Sequence, residues 1–286
     1  MTIFSRNDQI AVDEFTYGNL IATAQLNNIH LIAIKNDQLG MDPADLENIC
    51  QNNNLSGLYL MPEYSNPCGI TMPRTRREKI AEIAKKYNLK ILEDDYLSFL
   101  SKLNPERPPK FMQILPQQTC YICSMSKVIA SGLRISYLIF PEDLKSQIEN
   151  GFFNTMVKAS TLNAAIATNV INSKLIYKII DHKIALTQKA NNVFDRIFSN
   201  KKTSPIVKNS FFRCLNINSQ LNGSQIEKEL LKENIRCFSS EHFRINNSSS
   251  QNFLRVSLSA TNSIDELEYG LKKLKEYLIE KELLIK

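Results

Sequence analysis

The chain has 286 residues, of which 43% are hydrophobic and 22% are charged, and its formal net charge is +6. This composition is typical of a globular protein with a large core and room for two lobes. Lysines and arginines are spread along the sequence without a dense basic run, so charge gives no indication of nucleic-acid binding. Neither a basic-then-apolar leader nor an apolar run of membrane-span length is visible, which favours a cytoplasmic protein with no membrane association.

The six cysteines show no spacing typical of a disulfide framework, which favours reduced thiols. Cys120 and Cys123 form a CxxC pattern, but side chains three apart in a strand point to opposite faces. No second pair has ligand spacing, because His30, His182 and His242 are scattered. We therefore interpret the two cysteines as small strand residues and expect no metal site.

Short apolar runs alternate with amphipathic segments in the first two-thirds of the chain. The predicted strands lie at 29–34, 55–62, 89–94, 119–124 and 134–140, and the predicted helices among them lie at 43–53 and 74–88. Buried strands separated by helices indicate an α/β fold with a mixed, mainly parallel sheet covered on both faces.

The character of the sequence changes after Pro141. Helical segments cover about 142–200, strands follow at 211–217 and 253–259, helices begin at Ser224 and Ser263, and the polar stretch 245–252 is predicted to be a loop. Ser224 with Glu227 and Ser263 with Glu266 have the spacing of capping boxes. The sequence thus predicts a large domain over 1–175 and a small C-terminal α+β domain over 176–286.

Polar residues follow two of the predicted strands, at the end where ligands bind in open α/β sheets. Asn66 lies in an Asn-Pro-Cys-Gly turn, where its amide can donate to a ligand oxygen. Residues two apart in an extended segment face the same side, so Asp94 and Tyr96 can address one ligand. Glu93 and Asp95 then face away. A plain turn and a solvated strand end are the alternative interpretations.

Lys127 lies among hydroxylated residues at the end of another predicted strand. A partly desolvated lysine can act as an amine nucleophile toward a carbonyl group, although an isolated lysine is more often a surface charge. Ser124, Ser126 and Arg134 offer short donors and a fixed charge, which suit a phosphate. Arg255, inside an alternating apolar strand, requires a partner, which is either a substrate carboxylate or a structural ion pair.

Together these residues suit a ligand with an aldehyde, a phosphate, a basic ring nitrogen and a phenolic oxygen. Pyridoxal phosphate has all four, and a lysine Schiff base with an aspartate on the ring nitrogen is its usual arrangement in proteins. The motifs SNPCG, EDDY and SMSKVIASGLR, in this order, resemble those of class I/II aminotransferases, which are pyridoxal-phosphate enzymes of fold type I. The sequence is most similar to the aminotransferase-like domain of MocR-type GntR-family regulators and to kynurenine/aminoadipate aminotransferases.

The resemblance implies a homodimer that transfers an amino group between an amino acid and a 2-oxo acid through a Lys127 Schiff base. Arg255 would then bind the substrate α-carboxylate. The resemblance also implies the remaining cofactor-binding residues, which are Tyr17 against the ring, Asn66 and Tyr96 at the phenolic oxygen, Asp94 at the ring nitrogen, and Ser124, Ser126 and Arg134 at the phosphate.

Part of the family's pattern has no counterpart in this sequence. Members carry, before the position of Tyr17, a loop and helix N-terminus whose N–H groups bind the cofactor phosphate. The helix-turn-helix region of the regulators is also not seen, so no nucleic-acid binding is expected. The sequence therefore predicts an N-terminally truncated member, with impaired activity or completed by a separate N-terminal chain. Two alternatives stay open: a non-catalytic binding protein for the cofactor or an amino acid, and decarboxylation or β-elimination with the same cofactor.

Overall fold

The computed structural model describes residues 2–104, 106–198, 203–204, 209–218, 222–245 and 251–284. The strands are β1 Gln9–Asp13, β2 His30–Ile34, β3 Asn36–Asp37, β4 Gly40–Met41, β5 Leu55–Leu60, β6 Lys90–Asp95, β7 Thr119–Ser124, β8 Ser136–Ile139, β9 Thr203–Ser204, β10 Phe212–Asn216, β11 Phe238–Ser239 and β12 Phe253–Ser257. The α-helices are α1 Gly18–Leu26, α2 Pro43–Asn52, α3 Arg74–Lys86, α4 Phe111–Ile114, α5 Lys145–Met156, α6 Thr161–Asn172, α7 Leu175–Phe198, α8 Gly223–Lys232 and α9 Ile264–Glu280. Within these ranges, no helix is both long and apolar enough to cross a membrane.

The larger sheet has six strands in the order β2-β1-β5-β6-β7-β8. The first five are parallel and β8 runs antiparallel to β7, so the predicted α/β fold with a mixed, mainly parallel sheet is confirmed. Because parallel strands share their direction, the carboxyl ends of β1, β5, β6 and β7 meet at one edge. The segments that follow these strands therefore lie close together.

Helices α2 and α3 cover this sheet, and the sequence explains where α2 begins and which face of α3 is buried. Asp42 caps α2 by accepting a hydrogen bond from the Ala44 N–H at 3.0 Å, and a proline occupies the first helical position. Helix α3 buries Ile80 and Ala84 against the apolar side chains of β5 and β6. Full burial of a side chain such as Ile80 contributes about 1.5–3 kcal/mol, which fixes these helices on the sheet.

A glycine allows close contact between β5 and β6. A Cβ atom on Gly57 would lie 2.4 Å from the Lys90 carbonyl oxygen and 2.6 Å from the Phe4 ring. A larger residue would push the two strands or the ring aside. This matters for the site, because β5 and β6 carry two side chains that bond to each other.

The smaller sheet has the order β11-β12-β10-β9, and its strand pairs are antiparallel. It packs with α7, α8 and α9 around a second core that includes Phe194 and Leu254. Helix α7 connects the two cores, since Ile184 packs in a different cluster beside Leu97 and Tyr64. The predicted helical region of 142–200 is thus divided into α5, α6 and α7. The division of the chain at residue 175 stays a prediction.

The predicted capping box at Ser224 is wrong. Helix α8 begins at Gly223, and its N-cap is Asn222, whose side-chain oxygen accepts from the Gln225 N–H at 3.2 Å. Asparagine is as good a cap as serine, and it precedes the serine by two residues. Most of the loop predicted at 245–252 lies outside the described residues.

The second predicted capping box is present in part. Ser263 caps α9 by accepting a hydrogen bond from the Glu266 N–H at 3.1 Å. The Glu266 carboxylate accepts from the Asn262 N–H at 2.9 Å instead of returning a bond to the serine N–H.

Candidate active site

Asp94 lies at the carboxyl end of β6, in the cleft where the parallel strands end. The hydroxyl of Tyr59, on the neighbouring strand β5, donates a hydrogen bond of 2.6 Å to Oδ2 of Asp94. Burial raises the pKa of Asp94, the hydrogen bond from Tyr59 lowers it, and the charge of Asp95 raises it. The net result is a pKa of about 6. A carboxylate in such a place is stabilised by a cationic group in the cleft.

The two neighbouring acids face the other side of the sheet, as the alternation of strand side chains predicts. Asp95 accepts hydrogen bonds from Lys110 Nζ at 2.7 Å and from the Ser98 N–H at 3.0 Å. Burial raises the pKa of Asp95, but the lysine and the hydrogen bonds outweigh it, and the resulting pKa lies below its usual value. Glu93 accepts from the Met112 N–H at 3.1 Å. Neither acid is available to a ligand near Asp94.

Arg255 of β12 connects the smaller sheet with the turn after β5. Its Nη1 donates to Oδ1 of Asn66 at 2.8 Å, which orients the amide and leaves the amide NH₂ as a donor. The guanidinium lies 4.5 Å from the ring centre of Phe212, 4.8 Å from that of Phe243 and 5.1 Å from that of Phe238. These aromatic rings surround the cation and shield it from water.

Nε of Arg255 is buried and has no hydrogen-bond partner within the described ranges. Burial lowers the pKa of Arg255, and none of the groups that raise it is a carboxylate. A largely buried cation without an anion is costly, and no carboxylate among the described residues pairs with Arg255.

Two tyrosines lie beside these groups. Tyr96 donates from its hydroxyl to the Tyr64 carbonyl oxygen at 2.6 Å. Burial raises the pKa of Tyr96, the charge of Asp94 raises it further, and the charge of Arg255 lowers it, so all three side chains share one region. Tyr17 is the N-cap of α1, and its hydroxyl accepts a hydrogen bond from the Asn19 side chain at 2.9 Å.

Lys127 lies in the segment that follows β7 and is half-buried. Burial lowers the pKa of the Lys127 amine, and the charge of Arg255 lowers it further. Across the described part of the chain, no hydrogen-bond acceptor or acid pairs with its Nζ. Its backbone is held by α7, because Lys183 Nζ donates to the Lys127 carbonyl oxygen at 2.9 Å. A partly desolvated, unpaired amine of this kind loses its proton more readily than an exposed lysine and can act as a nucleophile.

The predicted phosphate-binding residues flank Lys127. The Ser126 N–H donates to Oγ of Ser124 at 3.3 Å, and Arg134 Nη1 lies 3.4 Å from Oγ of Ser126. Arg134 is exposed and adopts a left-handed conformation with φ 52°. Both contacts are long, so the hydroxyls and the guanidinium retain donors for an anion.

The sequence model of the family described as aminotransferase class I and II matches residues 1–274. The chain belongs to this family. It is 33% identical over 271 residues to the uncharacterized HTH-type transcriptional regulator YdeF of Bacillus subtilis (strain 168), an alignment that covers 95% of this chain and 58% of the regulator. It is 27% identical over 187 residues to the mitochondrial kynurenine/alpha-aminoadipate aminotransferase of Bos taurus, covering 62% of this chain and 43% of that enzyme. The chain thus spans less than two thirds of the length of these relatives.

Solved structures confirm that this aminotransferase-family chain has fold type I. The kynurenine aminotransferase of Pyrococcus horikoshii, solved in complex with PMP, aligns with a TM-score of 0.88 at 20% identity and covers 97% of this chain and 70% of that one. The alpha-aminoadipate aminotransferase LysN of Thermus thermophilus aligns with a TM-score of 0.87 at 19% identity, covering 97% of this chain and 72% of that one. The family predicted from the three motifs is therefore confirmed.

Three residues around the site of this family member are not predicted by its motifs. Tyr59 bonds to Asp94, Lys183 holds the backbone of Lys127, and Lys110 pairs with the acids on the other face of β6. Tyr59 lies in an apolar run without a motif, and its partner depends on the pairing of β5 with β6. Only the register, which sets Tyr59 opposite Leu92, brings it beside Asp94.

Proposed function

We propose that the chain binds pyridoxal phosphate and transfers an amino group between an amino acid and a 2-oxo acid. The observation that carries this proposal is the amine of Lys127, half-buried and unpaired among the described residues, in electrostatic contact with Arg255. The relatives support it, since two of them are named as aminotransferases of kynurenine or aminoadipate.

The side chains in the cleft fit the cofactor's ring. Asp94 is a half-buried carboxylate that would hold the ring nitrogen in its protonated form, and Tyr59 helps to keep that carboxylate charged. The amide NH₂ of Asn66 would donate to the phenolic oxygen, and the hydroxyl of Tyr96 would turn to it from the Tyr64 carbonyl oxygen. Tyr17 would contact the ring face. The orientation of Asn66 supports this role, because Arg255 already occupies its carbonyl oxygen.

The residues around Lys127 fit the cofactor's phosphate. Ser124 and Ser126 supply hydroxyl donors, and Arg134 supplies a permanent positive charge. Their long mutual contacts leave these groups free to turn toward a dianion. These residues all belong to the motif SMSKVIASGLR.

The chain's own groups account for the proton movements and for substrate binding. Pyridoxal phosphate, when bound, supplies an aldehyde that condenses with amines and a ring that accepts the electron pair of a broken C–H bond. Lys127 would hold the cofactor through its amine and, once that amine is released, would take up and return the proton at the substrate α-carbon. Arg255 would bind the substrate α-carboxylate, because no carboxylate among the described residues pairs with its guanidinium.

The protein is proposed to act as a homodimer with a large domain over 1–175 and a small domain over 176–286. Large apolar side chains on α5, α6 and the segment between them support the dimer. Phe153 is 65% exposed, Val157 67% and Leu162 70%. Several large exposed apolar side chains in neighbouring segments are typical of a protein–protein interface.

An absorbance titration tests the proposed function. When pyridoxal phosphate is added, the unmodified protein is expected to turn yellow in proportion to the protein concentration. Lys127→Ala is expected to stay colourless at the same cofactor concentration. Addition of an amino acid such as glutamate, kynurenine or 2-aminoadipate should then bleach the colour and release the matching 2-oxo acid. Ammonia or carbon dioxide as the product instead would indicate elimination or decarboxylation.

The second candidate function is non-catalytic binding of the cofactor or an amino acid. It is favoured by the 33% identity over 95% of this chain to a protein named as a transcriptional regulator. The same titration separates the two functions. A yellow complex that amino acids do not bleach would support the binding function and contradict amino-group transfer.

A further inference from the structure

A cavity of about 320 Å³ lies between α7, the segment after β7 and the start of α9. Of the residues assigned to the cofactor and substrate, only Ser126 and Lys127 line it; Asp94, Asn66 and Arg255 do not. The cavity therefore adjoins the proposed cofactor site and shares Ser126 and Lys127 with it. Its polar lining includes Lys183, Ser259 and residues at the N-terminus of α9.

The charge of this cavity is positive. Lys127 and Lys183 both line it, and none of the described lining residues is an acid. Burial lowers the pKa of Lys183, and the charge of Lys127 lowers it further, so the two amines repel each other. Lys183 has three donors, and its recorded bond to the Lys127 carbonyl oxygen uses only one of them. Two like charges in a partly desolvated space are stabilised when an anion joins them.

Neutral donors complete the same wall. Ser259 and Thr261 carry hydroxyls, and Asn262 carries an amide. The first turn of the 17-residue helix α9 also reaches the cavity, through Ser263 and Ile264. Asp265 and Glu266 occupy the first turn of this helix and Ser263 caps it, so the lysines supply the attraction of the cavity for an anion.

We propose that this cavity is a binding site for a small anion carrying a carboxylate or phosphate group, with Lys183 as its principal cation. The hydroxyl of Ser259 and the side-chain amide of Asn262 provide the remaining donors. The site adjoins the proposed phosphate-binding residues, since Ser126 lines the cavity while Ser124 and Arg134 do not.

Calorimetric titration of the cofactor-free full chain tests the proposal, with sodium phosphate and sodium succinate as separate probes at neutral pH. Saturable binding of one probe identifies the chemical class of the anion. Lys183→Gln is expected to weaken binding at least tenfold, whereas Lys183→Arg, which keeps the cation, retains it. Lys189→Gln is the matched control, because Lys189 is exposed on the same helix and does not line the cavity.

A second variant keeps the test decisive if Lys183→Gln fails to fold. Ser259 is exposed at the cavity wall, so Ser259→Glu should fold and should abolish binding by placing a carboxylate in the site. Absence of saturable binding by the unmodified chain overturns the proposal, as does unchanged binding in Lys183→Gln or Ser259→Glu. Loss of binding in Arg134→Gln but not in Lys183→Gln also overturns it, because the anion then occupies the proposed cofactor-phosphate residues.

Discussion

The hydroxyl of Tyr59 donates a 2.6 Å hydrogen bond to Oδ2 of Asp94 across the paired strands β5 and β6. Because this bond stabilises the charged carboxylate, Tyr59→Phe should raise the pKa of Asp94 above about 6. Affinity for pyridoxal phosphate should fall by roughly tenfold near neutral pH, the effect of losing one hydrogen bond to a charged group. The pH at which affinity declines on acidification should move upward. Absorbance titrations between pH 5.5 and 8.5 measure both effects.

The control for this prediction is Tyr269→Phe, since Tyr269 is 63% exposed on α9. It should bind the cofactor as the unmodified protein does. If Tyr59→Phe leaves the affinity and its pH dependence unchanged, the hydrogen bond has no part in setting the charge of Asp94.

Asp94 is expected to lower the stability of the cofactor-free protein. Its pKa is raised from 3.8 to about 6 in the folded state. The folded state therefore binds a proton more tightly than the unfolded state, and the free energy of unfolding falls as pH rises between these values. At pH 7.5, Asp94→Asn should increase the free energy of unfolding by on the order of 2 kcal/mol, and the gain should vanish near pH 4. Urea denaturation at the two pH values measures this.

Asp13→Asn is the matched control for this variant. Burial raises the pKa of Asp13 to about 6 as well, and a hydrogen bond from Asn36 acts in the opposite direction. This variant should also stabilise the protein at pH 7.5, but it should leave cofactor binding intact, whereas Asp94→Asn should lose it. Equal cofactor affinity in the two variants would contradict the role proposed for Asp94.

Arg255 is expected to determine the affinity for the amino acid. Arg255→Gln removes the cation, and Arg255→Lys removes the fork that reaches Asn66 and the substrate together. In both variants KM for the amino acid should rise 10- to 100-fold, about 1.5–3 kcal/mol for a charged hydrogen bond. Initial rates at varied amino acid and fixed cofactor concentration test this. A change in kcat alone, with KM unaffected, would indicate that the arginine acts on the site only through Asn66.

Much of the large sheet could be predicted because its strands are short apolar runs with helices between them. The segment 119–124 is predicted and observed with the same bounds as β7. Neither β1 nor α1 has a clear signal, because the residues of 9–26 lack a marked amphipathic period and α1 has no side-chain cap. The cap of α8 is predicted two residues late because serine and asparagine compete as caps.

The site was predictable where one strand carries the information. Alternation along β6 separates Asp94 from Asp95, and the contacts of both residues agree with it. Contacts between strands distant in sequence could not be predicted. The bond from Arg255 to Asn66 joins residues 189 positions apart, and that from Tyr59 to Asp94 depends on the register of two strands. Such pairs follow from tertiary packing, which no local pattern encodes.

Lys110 is expected to stabilise the face of the sheet opposite the cleft. Its Nζ lies 2.7 Å from Oε1 of Glu63 and 2.7 Å from Oδ2 of Asp95, and these side chains are 1% and 4% exposed. Lys110→Met leaves both buried carboxylates without this cation, which should cost about 3–5 kcal/mol at neutral pH. Glu63 retains Arg77 and Arg107 nearby, so most of the loss should come from Asp95.

The pH dependence of this loss follows from the pKa of Asp95, which lies below its usual value in the folded protein. The pairing of Lys110 with Asp95 therefore stabilises the fold at pH values above the pKa of Asp95 in the unfolded chain. This stabilisation is lost as pH falls through the pKa of Asp95 in the folded protein. The loss in free energy of unfolding caused by Lys110→Met should be largest at pH 7. It should shrink toward pH 4, where the unpaired carboxylate takes up a proton. Lys86→Met is the control, because the Lys86–Glu47 pair is exposed and is screened by water, so its loss should change the stability little. A deficit that is equal in the two variants, or constant with pH, would show that Lys110 acts through packing rather than charge.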